Sequence, residues 1–133
     1  MKPTLFKSAL LILLVLLLSA SPCWAKAKGY CFVVGYSYKL KQAFFSKVFS
    51  QDVRDVSYSD EEYTTDVVLI QKMESQFQAY LSSTQNVEST KYTITARGAY
   101  KDESIAMRRL VTERDNFKKK GFKTAVLQNF TLR

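Results

Sequence analysis

Residues 30–38 (YCFVVGYSY) form the first apolar stretch after the leader, and aromatic and β-branched side chains dominate it. Such side chains suit the pleated, half-buried surface of a β-strand, and the two-residue period of a strand places Phe32, Val34 and Tyr36 on one face. Residues 42–50 fit both the helical and the strand period. We favour a second strand that forms a hairpin with the first, and a helix is the open alternative.

A long helix is predicted to begin at residues 59–62 (SDEE). Ser59 can cap the first backbone N–H groups of such a helix while Glu62 reaches back to the cap, and acids suit the positive helix end. From there, apolar residues recur at intervals of three and four and form one stripe facing a core. The stripe consists of Tyr63, Val67, Ile70, Met73, Phe77 and Leu81. The helix should end within residues 82–86.

The clearest alternation lies in residues 91–97, which predict a third strand. Tyr92, Ile94 and Ala96 should point inward there. Asp102 is the predicted N-cap of a second helix, which should end at residues 118–121 (KKKG), because lysines suit the negative helix end and glycine commonly terminates helices. The predicted apolar residues of that helix are Ile105, Ala106, Leu110, Val111 and Phe117. Residues 122–132 predict a last strand.

The predicted order of elements is therefore ββαβαβ. We expect an α+β fold in which two helices pack on a small four-stranded sheet, in two layers. The chain after the leader has no proline, no low-complexity run and no linker, which predicts a single domain over residues 28–133.

The N-terminus has the pattern of a signal peptide over residues 1–27. Lys2 and Lys7 precede or flank a short apolar run, and small residues follow it, with acceptable cleavage after Ala25 or Ala27. The run is shorter than the roughly 20 apolar residues of a membrane-spanning helix, so we expect no stable membrane anchor after cleavage. This pattern predicts a periplasmic or extracellular protein.

Either cleavage removes Cys23, so Cys23 and Cys31 should never pair in the mature protein. A lipoprotein alternative would keep Cys23 as an acylated first residue, but Pro22 departs from the Leu-small-small-Cys pattern of bacterial lipoproteins. Cys31 is then a lone thiol near the start of the first strand. We favour a packed small side chain over a functional thiol for Cys31.

Composition excludes most catalytic chemistry. The chain has no histidine, which closes Ser-His and Cys-His mechanisms and ordinary zinc sites, so no catalytic residue, metal or cofactor is expected. Carboxylates are the only remaining route to hydrolysis. Those at residues 60–62, 102–103, 113 and 115 are explained by helix capping and ion pairs. A noncatalytic protein is therefore expected, with a carboxylate-dependent glycan hydrolase as an alternative.

The basic residues suggest a binding surface instead. Removal of Lys2, Lys7 and Lys26 lowers the 20 basic residues to 17 against 12 acidic ones, a net charge of +5. The second helix should present several cations to solvent, and the candidate residues for an acidic partner are Arg97, Arg108, Arg109 and Lys118. Nucleic acid is not an expected partner, because the aromatic residues do not interleave with the basic ones.

Two tyrosines form the other candidate site. Tyr36 and Tyr38 stand beside lysines at the end of the first strand, and a tyrosine ring can stack on a sugar or hold a partner protein, because its ring is apolar and its hydroxyl polar. The expected partner is therefore a protein or an anionic or glycan polymer of the cell envelope.

Residues 92–126 resemble half of a sporulation-related repeat (SPOR) domain. The resemblance lies in the strand end TITARGAYKD (residues 93–102), in Ala106 and Leu110, and in KKGF (residues 119–122) with Val126. In that family a strand ending in Gly-Ala-Tyr leads into a helix, then into Lys-Gly-Phe and another strand. The resemblance implies a periplasmic βαββαβ module that binds the glycan strands of peptidoglycan.

We therefore expect a small, secreted, noncatalytic binding module. Three alternatives remain at this level: a SPOR-like peptidoglycan-binding module, a carboxylate-dependent glycan hydrolase, and an inhibitor or immunity protein that docks on an enzyme.

Overall fold

The computed structural model describes residues 25–133. The predicted signal peptide up to residue 24, and Cys23 with it, lies outside the described residues. Seven regular elements follow one another, together with a short 3₁₀ turn at Ser89–Lys91. They are β1 (Lys26–Ser37), β2 (Gln42–Ser46), β3 (Phe49–Arg54), α1 (Val67–Thr84), β4 (Thr93–Tyr100), α2 (Glu103–Lys119) and β5 (Lys123–Leu127).

The sheet is organised around β1. β4 runs antiparallel along one edge of β1, from Tyr30↔Tyr100 to Tyr36↔Thr93. On the other edge, β2 pairs antiparallel with the C-terminal half of β1 and β3 with its N-terminal half. β5 runs parallel to β2. The mixed α+β class is confirmed, but the sheet has five strands rather than the predicted four.

The extra strand arises from a break in the predicted second strand. Val34 pairs with Phe45 in β2, whereas Cys31 pairs with Phe49 in β3, so the register shifts by one residue across the break. Ser46 is fully buried there; its Oγ accepts a 2.8 Å hydrogen bond from Val33 N–H and donates a 2.9 Å bond to the Lys47 carbonyl. Residues 42–50 thus contain two strand segments and no helix, and the Ser46 side chain satisfies a strand N–H at the break between them.

A helix covers each face of the sheet. Phe32 and Val34 of β1 pack with the apolar face of α2, while Cys31 and Val33 pack with α1. The predicted two-layer arrangement is therefore wrong, and the structure is a helix–sheet–helix sandwich. The physical reason is visible in β1, because a strand buried on both faces is apolar continuously rather than alternately.

Cys31 lies in the core beneath α1 and is fully buried. Burial raises the pKa of its thiol to about 12, so the group stays protonated over the physiological range. The thiol therefore occupies a packed apolar position.

The helix predicted to begin at Ser59 begins at Val67 instead. Ser59 Oγ accepts hydrogen bonds from the N–H groups of Glu61 and Glu62, as a helix cap would. The chain then extends, because Tyr63 N–H donates to the Ala99 carbonyl and Lys101 N–H to the Glu61 carbonyl, both at 2.8 Å. The Tyr63 N–H and the Glu61 carbonyl are therefore hydrogen-bonded to the end of β4 and are not available for the first turn of a helix.

The later start of α1 shortens its apolar stripe. Met73, Phe77 and Leu81 are buried as predicted, but Val67 is exposed at the first helical position. Tyr92, just before β4, and Ile94 and Ala96 within β4 pack in the same core as α1, which confirms the predicted inward set.

The second helix begins and ends as predicted. Asp102 caps it, with its side chain accepting the Ser104 N–H at 3.1 Å. At its end, Gly121 takes a positive φ of 85°, and Phe122 N–H donates to the Phe117 carbonyl at 3.0 Å. These rings also contact each other, with centroids 4.9 Å apart. This is the Schellman arrangement with its apolar contact.

One predicted apolar residue of α2 is not buried: Val111 is exposed.

No helix within residues 25–133 is long and apolar enough to cross a membrane.

Replacement of Ser46 should destabilise the fold at the strand break. We expect Ser46→Ala to lower the free energy of unfolding by about 1–3 kcal/mol, because the buried Val33 N–H loses its acceptor. Urea denaturation of both proteins measures the difference. Ser50→Ala, at an exposed position of β3, is the control and should change stability by less than about 0.5 kcal/mol. Equal stability of the Ser46 variant and the parent would show that another acceptor serves Val33.

The structure also distinguishes the two cleavage sites by their consequences. β1 begins at Lys26, which pairs with Arg54, and Ala27 pairs with Val53 and packs against the core. A chain beginning at Lys28 loses two paired residues of β1, so we expect it to be less stable than one beginning at Lys26 by about 1–2 kcal/mol. Intact mass identifies the natural start, and denaturation of the two purified forms measures the cost. Identical midpoints would mean that residues 26–27 contribute nothing.

Candidate functional site

The six predicted binding residues separate into groups in the structure. Tyr36, Tyr38 and Arg97 line one cleft. Arg108 and Arg109 lie elsewhere on α2, where they contact Glu61. Lys118 is exposed near the C-terminal end of α2. The cleft is therefore the place where distant parts of the sequence converge.

The cleft lies between the end of β1, the adjoining part of β4 and the last turns of α2, and its volume is about 230 Å³. Its lining consists of Tyr36, Tyr38, Arg97, Glu113, Asn116, Phe117 and Lys120. Sequence reasoning missed the α2 side of this site. Glu113 and Asn116 carry no motif, and only the packing of α2 on this face of the sheet brings them to Arg97.

Phenylalanine rings hold the two tyrosines in place. The Tyr36 and Tyr38 rings meet edge to face at 5.7 Å. Tyr36 contacts Phe117 at 5.3 Å, and Tyr38 contacts Phe122 at 5.3 Å. Tyr36 is half-buried, whereas Tyr38 is 56% exposed. A fixed and accessible tyrosine ring results at the rim of the cleft.

Arg97 and Glu113 form the polar wall of the cleft. Arg97 Nη2 donates to Glu113 Oε1 at 2.8 Å, and its Nε lies 3.2 Å from both carboxylate oxygens. The hydrogen bond with Glu113 raises the pKa of Arg97 further above its ordinary value. Among residues 25–133 no hydrogen bond uses Arg97 Nη1, so this nitrogen can donate to a ligand while the pair stays intact.

Lysines add positive charge beside this neutralised pair. Lys120 lines the cleft. Lys41 Nζ lies 5.7 Å from the centre of the Tyr38 ring and 5.0 Å from that of Phe122. These contacts are within the range of cation–π attraction. Since Glu113 compensates Arg97, Lys120 leaves the cleft with a net positive charge.

The other two arginines share one acidic partner within the molecule. Arg108 Nη2 and Arg109 Nη2 each donate to Glu61 at 2.8 Å, through different carboxylate oxygens. These bonds link the turn before α1 to α2. The hydrogen bond from Arg109, with the nearby charge of Arg108, lowers the pKa of Glu61 below its ordinary value. Arg108 and Arg109 are exposed, as the sequence predicts, but the surface near them contains its own acid.

Two of the other carboxylates considered for catalysis have structural contacts, since Asp102 caps α2 and Glu113 holds Arg97. A separate cavity of about 410 Å³ has both Asp52 and Asp66 in its lining, a combination that the sequence did not suggest. Arg54 Nε lies 3.7 Å from Asp66 Oδ2, and both side chains are about half exposed, at 53% and 55%. This is the geometry of a solvated ion pair. Within residues 25–133, no three potential metal ligands gather.

The Glu61 contacts should make stability depend on pH. The folded-state pKa of Glu61 is below the ordinary glutamate value of 4.5, so the contribution of Glu61 to stability is fully present above pH 4.5 and is lost as pH falls through the folded pKa. Glu61→Gln should therefore be less stable than the parent at neutral pH, and the two should converge in acid. Denaturation midpoints across the acidic range test this. Asp60→Asn removes a neighbouring charge and is the control, which should not show this convergence with the parent in acid. If the stability of Glu61→Gln and that of the parent run parallel across the pH range, the prediction is wrong.

We found no protein family, curated protein or solved structure that matches this chain.

Proposed function

We propose that this protein is a secreted, noncatalytic module that binds a polysaccharide of the cell envelope or extracellular space in the cleft between β1, β4 and α2. One observation carries the proposal: Arg97 lines the same cleft as Tyr36 and Tyr38, from which it is far apart in sequence. The tyrosine rings can stack on the apolar face of a sugar ring, and the guanidinium can donate hydrogen bonds to its hydroxyl groups.

The size of the cleft suits one sugar unit of a longer chain. Its volume of about 230 Å³ is smaller than the pockets of roughly 300 Å³ or more that enclose small molecules and cofactors. The site would therefore hold a ring-sized group while the rest of the polymer continues across the surface. Tyr38, at the rim, supplies the stacking surface.

The polar groups would fix the orientation of that sugar. Arg97 can donate through Nη1, and the Asn116 amide can both donate and accept, as a hydroxyl requires. Lys120 favours a polymer that carries acidic groups. Glu113 holds the guanidinium in position, so its role is indirect.

Peptidoglycan is the first polymer to test. The segment β4–α2–β5 includes the residues that resemble a SPOR domain, and glycan strands of peptidoglycan are what that family binds. The cleft is built largely from this segment, with β1 supplying the tyrosines. Periplasmic localisation, which the leader predicts, would place the protein beside that polymer.

Binding should depend on the rim and floor of the cleft. We expect Tyr38→Ala and Asn116→Ala each to weaken binding to solubilised peptidoglycan fragments by about threefold to tenfold, which corresponds to about 0.5–1.5 kcal/mol for a lost aromatic or hydrogen-bond contact. Isothermal titration calorimetry and co-sedimentation with whole sacculi provide the two measurements. Melting curves establish that each variant is folded.

Tyr58→Ala is the matched control, because Tyr58 is a tyrosine with 74% exposure outside the cleft. It should bind like the parent. Equal losses for Tyr38→Ala and Tyr58→Ala would place binding elsewhere. Lack of binding to peptidoglycan and to a panel of acidic and neutral polysaccharides would refute the proposal, and capture of a protein partner dependent on Tyr38 would assign the cleft to that partner instead.

A further inference from the structure

One end of the molecule concentrates lysine side chains. Three segments meet there, because Lys123 N–H donates to the Lys41 carbonyl at 2.9 Å and Tyr38 contacts Phe122 at 5.3 Å. They are the β1–β2 turn, the end of α2 and the start of β5. We call this the lysine-rich end; its exposed lysines are Lys39, Lys41, Lys118, Lys119, Lys120 and Lys123.

Acids are concentrated at the opposite end. Pairing of Tyr30 with Tyr100 and of Lys26 with Arg54 puts residues 52–66 and the start of α2 beside the beginning of β1. The carboxylates there are Asp52, Asp55, Asp60, Glu61, Glu62, Asp66, Asp102 and Glu103. Within residues 25–133, the ion pairs do not involve any lysine of the lysine-rich end. Asp115, one helical turn before Lys119, is the acid nearest to it along α2. Cations therefore predominate at the lysine-rich end, whereas the acids at the opposite end lie among basic residues such as Arg54, Arg108 and Arg109.

Two large apolar or amphipathic side chains project among these lysines. Leu40 is 51% exposed and Tyr38 is 56% exposed. The turn that carries Leu40 is held in shape, because Leu40 N–H donates to Ser37 Oγ at 3.2 Å. Exposure of this leucine to water at the tip of the hairpin is unfavourable, so burial in an apolar environment would stabilise it.

We propose that the lysine-rich end docks peripherally on the surface of an anionic lipid bilayer, with Leu40 and Tyr38 entering the headgroup region. Lysines near such a surface are attracted to its negative potential, and tyrosine favours the membrane–water interface. Leu40 distinguishes a bilayer from a soluble anionic polymer, because only the bilayer offers hydrocarbon to an apolar side chain.

This docking is independent of the polysaccharide proposal, although the two sites are neighbours. Lys120 and Tyr38 belong to both, so the cleft would open beside the membrane surface. Variants at Leu40, Lys39 and Lys119 lie outside the cleft lining and separate the two proposals.

The test uses protein purified after expression of the full 133-residue chain, with its N-terminus determined by intact mass. Vesicles of equal parts phosphatidylcholine and phosphatidylglycerol are compared with vesicles of phosphatidylcholine alone. The parent should co-sediment with the anionic vesicles only, and the binding should fall as salt is raised.

Two variants test the two kinds of contact. Lys39→Gln combined with Lys119→Gln should weaken vesicle binding about twenty-fold, since each lysine near an anionic surface is worth roughly a factor of five. Leu40→Ser should weaken it by roughly fivefold while leaving peptidoglycan binding unchanged. Thermal melting shows whether each variant is folded.

Matched controls remove the same groups elsewhere. Lys28→Gln combined with Lys72→Gln makes the same change in net charge at exposed positions outside the lysine-rich end. Val68→Ser replaces an apolar side chain that is 77% exposed at the start of α1. Both controls should bind vesicles much like the parent.

The outcomes separate the possible occupants. If the test and control lysine variants lose vesicle affinity equally, the binding depends on net charge alone, and the proposal of a defined docking surface is wrong. Strong binding to soluble heparin together with an unchanged affinity of Leu40→Ser for vesicles would show that the surface binds anionic polymers rather than a bilayer. Failure to bind anionic vesicles at low salt would also refute the proposal, without affecting the test of the cleft.

Discussion

The burial of β1 on both faces is the constraint on which the rest of the structure depends. Its central residues contact α1 on one side and α2 on the other, while β4 and the β2–β3 pair occupy its two edges. A strand so enclosed has no access to water, so every backbone N–H must find a partner in the protein. The hydrogen bond from Val33 to Ser46 meets this requirement at the one point where the neighbouring strand breaks. The break in turn lets β2 and β3 follow β1 over its full length.

The same enclosure positions the candidate site. Because α2 packs on one face, its last turns stand opposite Arg97 of β4, and Glu113 reaches the guanidinium. The Schellman end of α2 then brings Phe117 and Phe122 together beneath the two tyrosines. The cleft therefore depends on helix termination as much as on the residues that line it. Its tyrosines and guanidinium occupy fixed positions, which reduces the entropy lost when a ligand binds.

Features determined by neighbours in sequence were predictable. The Asp102 cap, the Gly121 terminus and the inward face of β4 follow from a few adjacent residues and were identified correctly. The turn at Ser59 shows the limit: its local hydrogen bonds form as a helix cap would, yet pairing of Tyr63 with Ala99 extends the chain. The second helical layer was missed for a related reason, since an unbroken apolar run in β1 was interpreted as alternation. Tyr36, Tyr38 and Arg97 were predicted as binding residues in two separate groups, and their convergence on one cleft required the pairing of β1 with β4.

The burial of Cys31 bears on the biosynthesis of the secreted chain that the leader predicts. Thiol–disulfide exchange proceeds through the thiolate. Because the Cys31 thiol is buried and protonated, it does not take part in this exchange in the folded protein. The folded protein can therefore keep a reduced cysteine in an oxidising compartment without a partner thiol. Before folding, however, the same sulfur is open to oxidants and to other chains. Its protection depends on α1, whose buried residues cover this face of β1 and lie some forty residues further along the chain, and such distant contacts form slowly. The risk of oxidative mispairing is thus confined to the nascent chain, and it ends when α1 packs on the sheet.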